Sequence, residues 1–490
     1  MSRKVIVTGA GLSGLSAAAQ LALRKYDVEV FEKNEMPGGR ARHFQAGGFT
    51  FDMGPTWYWF PGIIDSYFKA FGHRASDFYD LIQMDPSYRI YFGRDDYLDV
   101  PSKEEELTDL FESVEKGSSK KLKKLLHSAS LNYEVAFNRI IYNSGTKVSD
   151  YASWAFIKRL LKYNPVRSYA GYVRSVFKNE RLINILEFPI ISLGASPEKL
   201  PAFYSLMNYA VIKSGTWYPL GGMYEIVKAM LKLLDELHVP VHLASEVENY
   251  DVIGNRISGI YTHGKNFHAN YFVSSADYYH TERQLSKEVR NYPEKYWTKK
   301  QLTPSSVIYF LGINKKLENL NHHNLFYDAS LNGHLADIYK NKKWPENPVF
   351  YVCCSSRTDP GTAPEGMENL IVNIPVAAGL EDTGKLKEHY YDLLIDRMER
   401  VTQQNIRDHV VYKRSYARSD FMTDYHAFLG NAFGLANSYW QTGFLRPKIK
   451  NKHLINLYYC GHLTVPGPGI PSSLISGEIA ANEIHKGDHG

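Results

Sequence analysis

Cysteine is scarce in this chain. Cys353, Cys354 and Cys460 are the full complement, and two are adjacent, so that on a strand their side chains would leave opposite faces. They give neither a disulfide framework nor a metal-ligand spacing, and a reducing compartment is the natural reading. No targeting signal is expected either, because residues 1–4 run directly into a buried-strand pattern with no small-residue cleavage site after it. No apolar run approaches the roughly 20 residues that span a bilayer. Lys/Arg blocks of the kind that accompany nucleic-acid modules are missing, and a net charge of +5 is modest for 490 residues, so nucleic acid is not an expected partner. Paired carboxylates, a Ser/His/Asp arrangement and a metal cluster are all without a visible signature, and no internal repeat or low-complexity tract occurs.

What is present is an ordinary globular composition, 44% hydrophobic and 22% charged, in a chain too long for one compact core. Two lobes are expected. The 36 Tyr among 14% aromatic residues point to large amphipathic surfaces. The first lobe opens with KVIVTGAGLSGLSAAAQLALRKYDVEVFEKNEMPGGRAR, residues 4–42. An apolar strand meets Gly9, Gly11 and Gly14 in G-x-G-x-x-G spacing, with Ala10, Leu12 and Ser13 in the same turn. The first glycine makes the tight turn, the second lets backbone approach a pyrophosphate, and the third lets the following helix pack on the sheet. Leu15, Ala18, Ala19 and Ala22 set the helix, whose amino terminus aims free N–H groups at phosphate oxygens. A second strand ends in Glu32, next to Lys33, where a carboxylate hydrogen-bonds a ribose 2′-hydroxyl and disfavours a 2′-phosphate. Strand, glycines, helix, strand and acid arrive in order, which reads as dinucleotide binding. The PGGRAR that follows resembles the Gly-Gly-Arg segment of two-domain flavin amine oxidases. By that resemblance the cofactor is FAD, Gly38 and Gly39 let backbone close over it, and Arg40 offers a fixed charge near the pyrophosphate.

Two later segments are expected to return and complete the pocket. WYPLGGM, residues 217–223, leads through an amphipathic helix (Ile226, Val227, Met230, Leu233, Leu234, Leu237) into a three-stranded meander with turns at Gly254/Asn255 and Gly264/Lys265. In the resembling family such a hairpin block covers the adenine side, with backbone at the position matched by Val247. The other segment is LYYCGHLTVPGPGIPSSLISGEIAANEI, residues 457–484. Its strand ends at Cys460 and Gly461, a Pro/Gly-rich loop carries Gly469 and Ile470, and a helix opens near Pro471 with Ser472 and Ser473 as capping hydroxyls. A helix amino terminus there suits the electron-rich end of a reduced flavin ring.

Residues 51–62, FDMGPTWYWFPG, line up four large aromatics between Gly54, Pro55, Pro61 and Gly62, in a loop setting that usually avoids exposed ring surface. Together with VTGAGLSGLSAA, FEKNEMPGGRA, MDPSYRIYF, YPLGGM and the terminal segment, this stretch is similar to the bacterial phytoene desaturases of carotenoid biosynthesis, FAD-dependent members of the flavin amine oxidase superfamily. The similarity runs over nearly the whole chain and is weakest at residues 110–200. A departure is HLTVPGPGIPSS where many relatives carry THPGAGIPG, at His462, Thr464 and Ser472, which bears on substrate choice.

The resemblance implies an FAD-dependent oxidoreductase that removes a hydride and a proton from a long isoprenoid, with phytoene the leading substrate. A desaturase of a modified carotenoid, hydroxylated or cyclic, a carotenoid isomerase and an oxygenase of the same fold are alternatives, and a prenyl-lipid carrier without redox chemistry is the alternative of another class. A polyene needs a long apolar tunnel ending at the flavin. Gly54, Pro55 and Thr56 are therefore expected to pass the ring, and Trp57, Tyr58, Trp59, Trp217 and Tyr218 to line the tunnel, where aromatic faces also stabilise a developing cation. The chemistry demands no dedicated base; Asp52, Arg418, His426 and His462 are candidates, with Asp52 expected to bond local backbone.

The fold class is α/β, a Rossmann-like FAD-binding lobe that is discontinuous in sequence (1–74, 216–284 and 451–490) and a second α+β substrate lobe of mixed sheet and helices (75–215 and 285–450). Helical spacing occurs at 104–142 and 385–401, and strands at SVIYFLGI, VFYVCCSS and NLIVNIPV. Residues 151–179 hold Lys158, Arg159, Lys162, Arg167, Arg174 and Lys178 among aromatics with no Asp or Glu, and Pro165 splits them into two short helices. Since the implied substrate dissolves in lipid, this segment is expected to dock on anionic headgroups, giving a cytoplasmic protein held peripherally on the inner face of the cell membrane. Oligomeric state is left open.

Overall fold

The computed structural model describes residues 3–145, 154, 157, 158 and 167–489. At its centre the strand Lys4–Thr8 pairs in parallel with Asp27–Phe31 on one side and Tyr271–Ser274 on the other. Val241–His242 and Leu457–Tyr459 complete a five-stranded parallel sheet. Val5, Ile6 and Val7 are fully buried, as parallel strands covered on both faces require. On one face the helix Leu12–Leu23 packs against the chain's final helix, Ile470–His489. A Cβ on Gly477 would lie 2.3 Å from the Ser13 carbonyl oxygen, so only glycine permits this approach, and the Ser16 hydroxyl donates to the Leu474 carbonyl at 2.7 Å. The two ends of the chain thus share one interface.

A seven-stranded sheet forms the second layer, in the order Val410–Tyr416, Ser305–Ile313, Glu368–Val376, Phe350–Cys353, His323–Phe326, Tyr88–Gly93, Asp96–Val100. Only the His323–Phe326 and Tyr88–Gly93 pair is parallel. Period-two alternation divides its faces. Val307, Tyr309 and Leu311 join a core with Tyr390, Leu394 and Met398 of the helix Gly384–Thr402, while Ile308 and Phe310 face Phe49 and Phe51. Cys353 and Cys354 fall in these opposite clusters, as adjacency on a strand dictates.

Local chemistry shifts three sequence expectations. The meander Asn249–Ile253, Arg256–Thr262, Lys265–His268 has its second turn at His263 and Gly264, both at positive φ, with Lys265 already paired to Thr262. Residues 104–142 make two helices, Glu104–Val114 and Ser118–Arg139, separated at Gly117 (φ +81°), where the Glu112 carboxylate accepts the Gly117 and Ser119 N–H groups. The terminal helix begins at Ile470, and Ser473 donates its hydroxyl to the Gly469 carbonyl at 2.9 Å instead of capping an N–H.

Of the basic aromatic block, Arg159, Lys162 and Pro165 lie outside the described residues. Its later part is the helix Tyr169–Val176, capped by Ser168, with Tyr169 and Phe177 buried. Arg174 is taken up by Glu180, at 2.6 Å, so it is no free cation. Trp154 and Lys158 are exposed. Among the described residues no helix is long and apolar enough to cross a membrane.

Candidate active site

The turn after Lys4–Thr8 permits close approach. Gly9 has φ +95°, and a Cβ on Gly14 would meet the Gly9 carbonyl oxygen at 2.0 Å. Gly11 differs, because its Cβ would meet only Ser275 Oγ, at 3.8 Å. It borders a cavity of about 260 Å³ whose wall also holds Gly9, Leu12 and Ser13. Ala10 and Gly14 stand behind that wall. The Ala10 N–H donates to Glu32 Oε2 at 2.7 Å, while Glu32 Oε1 accepts from the Asn34 N–H at 2.9 Å. The carboxylate therefore ties the end of the second strand to the glycine turn while still facing the cavity. Gly38 donates its N–H to the Ala10 carbonyl at 2.7 Å, and Gly39 stands where a Cβ would be 3.2 Å from Gly11 Cα. Arg40 lies over the Tyr425 ring, with Nη2 donating to the Asn431 carbonyl at 3.2 Å. Lys33 and Val247 complete the predicted wall, the Val247 carbonyl accepting from Gln284 at 2.7 Å. Gly461 does not reach it: its N–H donates to Ser476 Oγ at 2.9 Å, and its Cβ position faces Ser13.

A larger cavity of about 640 Å³ adjoins the first. Gly54, Pro55, Ser306, Asn373, Gly469 and Ile470 belong to both walls and mark the junction. A Cβ on Gly54 would sit 2.1 Å from the Arg40 carbonyl oxygen, so the aromatic loop is pinned directly on the Gly-Gly-Arg segment. Thr56 lies on the larger cavity's side of the junction, where its oxygen accepts from the Tyr351 hydroxyl at 2.9 Å. Trp57 and Trp59 line that cavity, Trp57 stacked on His323 with ring centroids 3.8 Å apart, and Trp59 donating Nε1–H to Thr216 Oγ1 at 3.0 Å.

Three expected tunnel residues do not reach it. Tyr58 alternates away from Trp57 and Trp59, is fully buried and shares a 2.9 Å hydrogen bond with Tyr79. Trp217 bridges to Tyr58 and donates its indole N–H to the Ser214 carbonyl, and Tyr218 turns to Asp359 Oδ2 at 3.3 Å. The four candidate bases fare no better as substrate contacts. Asp52 is in neither wall; its Oδ2 accepts the Met223 N–H at 2.9 Å, and burial pushes its acid up to about 7. Arg418 packs on Gly430, away from both cavities. His426 and His462 face the smaller cavity. His426 is held by Glu246 at 2.8 Å and stacked on His280, and burial together with the Lys33 charge lowers its pKa. Desolvation, together with the charges of Arg40 and Arg446, holds the largely buried His462 well below the usual histidine range. Sequence reasoning missed Asp277, a buried acid in the same wall that caps the helix Tyr278–Gln284 and is pushed up to about 6 by burial, with Arg40 opposing.

A model of the family described as flavin containing amine oxidoreductase matches residues 12–485. The chain belongs to that family. A carotenoid 3,4-desaturase of Haloarcula japonica is 35% identical to this flavin-containing amine oxidoreductase over 485 residues, 98% of this chain and 97% of the relative. A zeta-carotene-forming phytoene desaturase of Myxococcus xanthus is 30% identical over 490 residues, 98% and 94% of the two chains. An oxidoreductase from Methanosarcina mazei shares the fold with TM-score 0.66 at 17% identity, covering 99% of this chain and all of that one.

The cofactor of this family member is FAD. The smaller cavity fits it on its own chemistry: Arg40 Nε and His462 Nε2 are buried on the wall without a hydrogen-bond partner among the described residues, and the open space at Gly11 admits a phosphate beside backbone. Behind Trp57 lies a further group that no motif announced. His323 Nδ1 and the Tyr351 hydroxyl are 2.7 Å apart, the His322 ring adjoins His323, and Cys353 completes the cluster. Burial holds both imidazoles below the usual histidine range. The adjacent His322 and His323 were the available signal, and only strand pairing brings Cys353 opposite His323.

Proposed function

We propose that the larger cavity holds a long polyene with one carbon–carbon bond at the Gly54–Pro55 and Gly469–Ile470 junction, and that the two lobes divide cofactor and substrate between them. The protein is an FAD-dependent oxidoreductase, a carotenoid desaturase. Its family and its named relatives support that activity. The observation that carries the reading is the shared wall, where a cavity fit for FAD opens onto a larger one bounded by Trp57, Trp59, Phe188 and Ile191.

In this reading Gly9, Gly11, Leu12, Ser13, Gly38, Gly39 and Arg40 hold the pyrophosphate region, Glu32 the ribose, and Gly54, Pro55, Gly469 and Ile470 the ring. Bound FAD supplies a two-electron acceptor for hydride. The chain's own share is orientation, exclusion of water, and stabilisation of positive charge developing on the polyene by the faces of Trp57 and Trp59. Phytoene is the leading substrate from sequence, while the Haloarcula relative's name points to desaturation at the 3,4 position of a carotenoid, and both remain within the one activity. The lipid-soluble substrate supports peripheral membrane docking. Ile140, Ile141, Tyr439 and Phe444 line the cavity, and beside them Trp440 is 82% exposed.

The test is incubation of the purified yellow protein with phytoene, and separately with partly desaturated carotenoids, in liposomes with an electron acceptor. Chromatography is expected to show products with longer conjugation. Unchanged polyenes with fully bound flavin would overturn the assignment.

A further inference from the structure

His322, His323 and Cys353 meet behind Trp57, all three buried, and one donor atom of each lies within 4.8 Å of the others. Hydrogen bonds around them fix what the imidazoles can offer. Thr358 points its hydroxyl hydrogen at Met84 Sδ, 3.7 Å away, so its oxygen accepts from His322 Nδ1 at 2.8 Å. Tyr351 sends its own hydrogen to Thr56 at 2.9 Å and accepts from His323 Nδ1 at 2.7 Å. Both rings therefore carry their hydrogen on Nδ1 and leave a bare lone pair on Nε2. Neither Nε2 has a hydrogen-bond partner among the described residues, and both are shielded from solvent. Two buried acceptors in adjoining rings with nothing to accept from are costly. A cation relieves both at once.

We propose that His322 Nε2, His323 Nε2 and the Cys353 thiolate hold one monovalent copper ion. Two imidazoles and a thiolate are a soft to borderline donor set, suited to copper and zinc and not to magnesium or calcium. Charge and donor number favour copper. Binding releases the Cys353 proton to solvent, so Cu+ and the thiolate sum to zero, whereas zinc would leave a net positive charge buried behind Trp57. Among the described residues no fourth His, Cys, Asp or Glu joins the group, which leaves zinc short of its four ligands. Donors bonded to one ion at about 2.0 to 2.3 Å stand less than about 4.6 Å apart, so the three side chains need little or no movement to share it. Thr358 and Tyr351 then serve as the outer partners that hold ligating histidines in one tautomer and orientation. Cys353 comes opposite His323 only when Phe350–Cys353 pairs with His323–Phe326. The ion thus clamps those two strands together and steadies the His323 ring, on which Trp57 stacks at 3.8 Å. This site stands independently of which polyene the protein takes.

Metal titration tests it. The flavin-loaded protein, prepared without a histidine tag, is stripped of metal and titrated anaerobically with Cu+ against a dye that chelates free copper, and separately with Zn2+. About one equivalent of Cu+ is expected to bind, with about one proton released per ion, and more tightly than zinc. Cys353→Ala and His322→Gln are each expected to weaken binding at least a hundredfold, more than the roughly tenfold expected of the outer-partner variant Thr358→Val. Cys354→Ala, whose side chain faces the opposite cluster, is expected to bind as the wild type does. X-ray absorption of the copper-loaded wild type, which needs no variant to fold, is expected to show one sulfur and two imidazole nitrogens at the metal. Absence of stoichiometric uptake, binding that survives both ligand variants, or a copper environment without sulfur overturns the site. Tighter binding of zinc than of Cu+ overturns the choice of ion.

Discussion

A side chain at residue 11 has room in the bare protein and none once a pyrophosphate lies beside it. Gly11→Val is therefore expected to fold with a melting temperature near wild type and to lose FAD at least tenfold, read as the flavin-to-protein absorbance ratio of the purified protein. Normal flavin content in a folded variant would remove the glycine turn from the cofactor site. The same residue scale shows what sequence can disclose. The placing of Gly9, Gly11 and Gly14 in the turn and of Glu32 at the end of the second strand was legible because it depends on near neighbours in the chain and on a fixed strand–turn–helix geometry. Tyr58 and Tyr218 were not, because which way an aromatic side chain points follows from pairing with a distant segment: Tyr58 is turned inward by its bridge to Trp217. Asp52 was expected to bond local backbone, whereas the N–H it accepts belongs to Met223, remote in sequence, and came only with the structure.

The decisive element is the loop between the strand Phe49–Asp52 and the helix Pro61–Lys69. Its run of rings is partly core and partly tunnel wall. Trp57 and Trp59 face the larger cavity, 5.1 Å apart between centroids, while Tyr58 anchors the loop from behind. Replacing Trp57 and Trp59 together by Ala is expected to cut turnover at least tenfold with flavin content unchanged, because the loop's hold on the Gly-Gly-Arg segment runs through Gly54 and not through the indoles. Wild-type turnover in the double variant would return both rings to a packing role. Element existence was legible at this scale from periodicity, as in Ser305–Ile313 and Gly384–Thr402. Turn positions and the break at Gly117 were not, since they depend on single residues taking positive φ. The capping roles expected of Ser472 and Ser473 also failed, because the helix starts one residue early and the Ser473 hydroxyl is drawn back to the Gly469 carbonyl.

At the scale of the whole molecule the sequence indicated two lobes and a lipid substrate but placed membrane docking on the basic block. In the described part of that block Arg174 is already paired, whereas Trp440 and Leu445 protrude beside cavity-lining Tyr439 and Phe444. Exposed aromatic and aliphatic side chains of this kind suit the interfacial zone of a bilayer. Trp440→Ser with Leu445→Ser is accordingly expected to lower the fraction of protein that floats with anionic liposomes several-fold, without loss of flavin. Flotation at the wild-type level would move the docking surface elsewhere, with Lys158 the next position to vary.

The interface between the first and last helices sets a timetable. At roughly 5 to 20 residues per second, translation of this chain takes on the order of 25 to 100 s. For nearly all of that interval the nascent glycine turn lacks both the strand Leu457–Tyr459 and the helix that holds Gly477 against it. Cofactor capture is therefore expected to follow synthesis of the segment 457–489. A ribosome that stalls before the terminal helix emerges releases a polypeptide with its nucleotide fingerprint in place and its binding site unfinished.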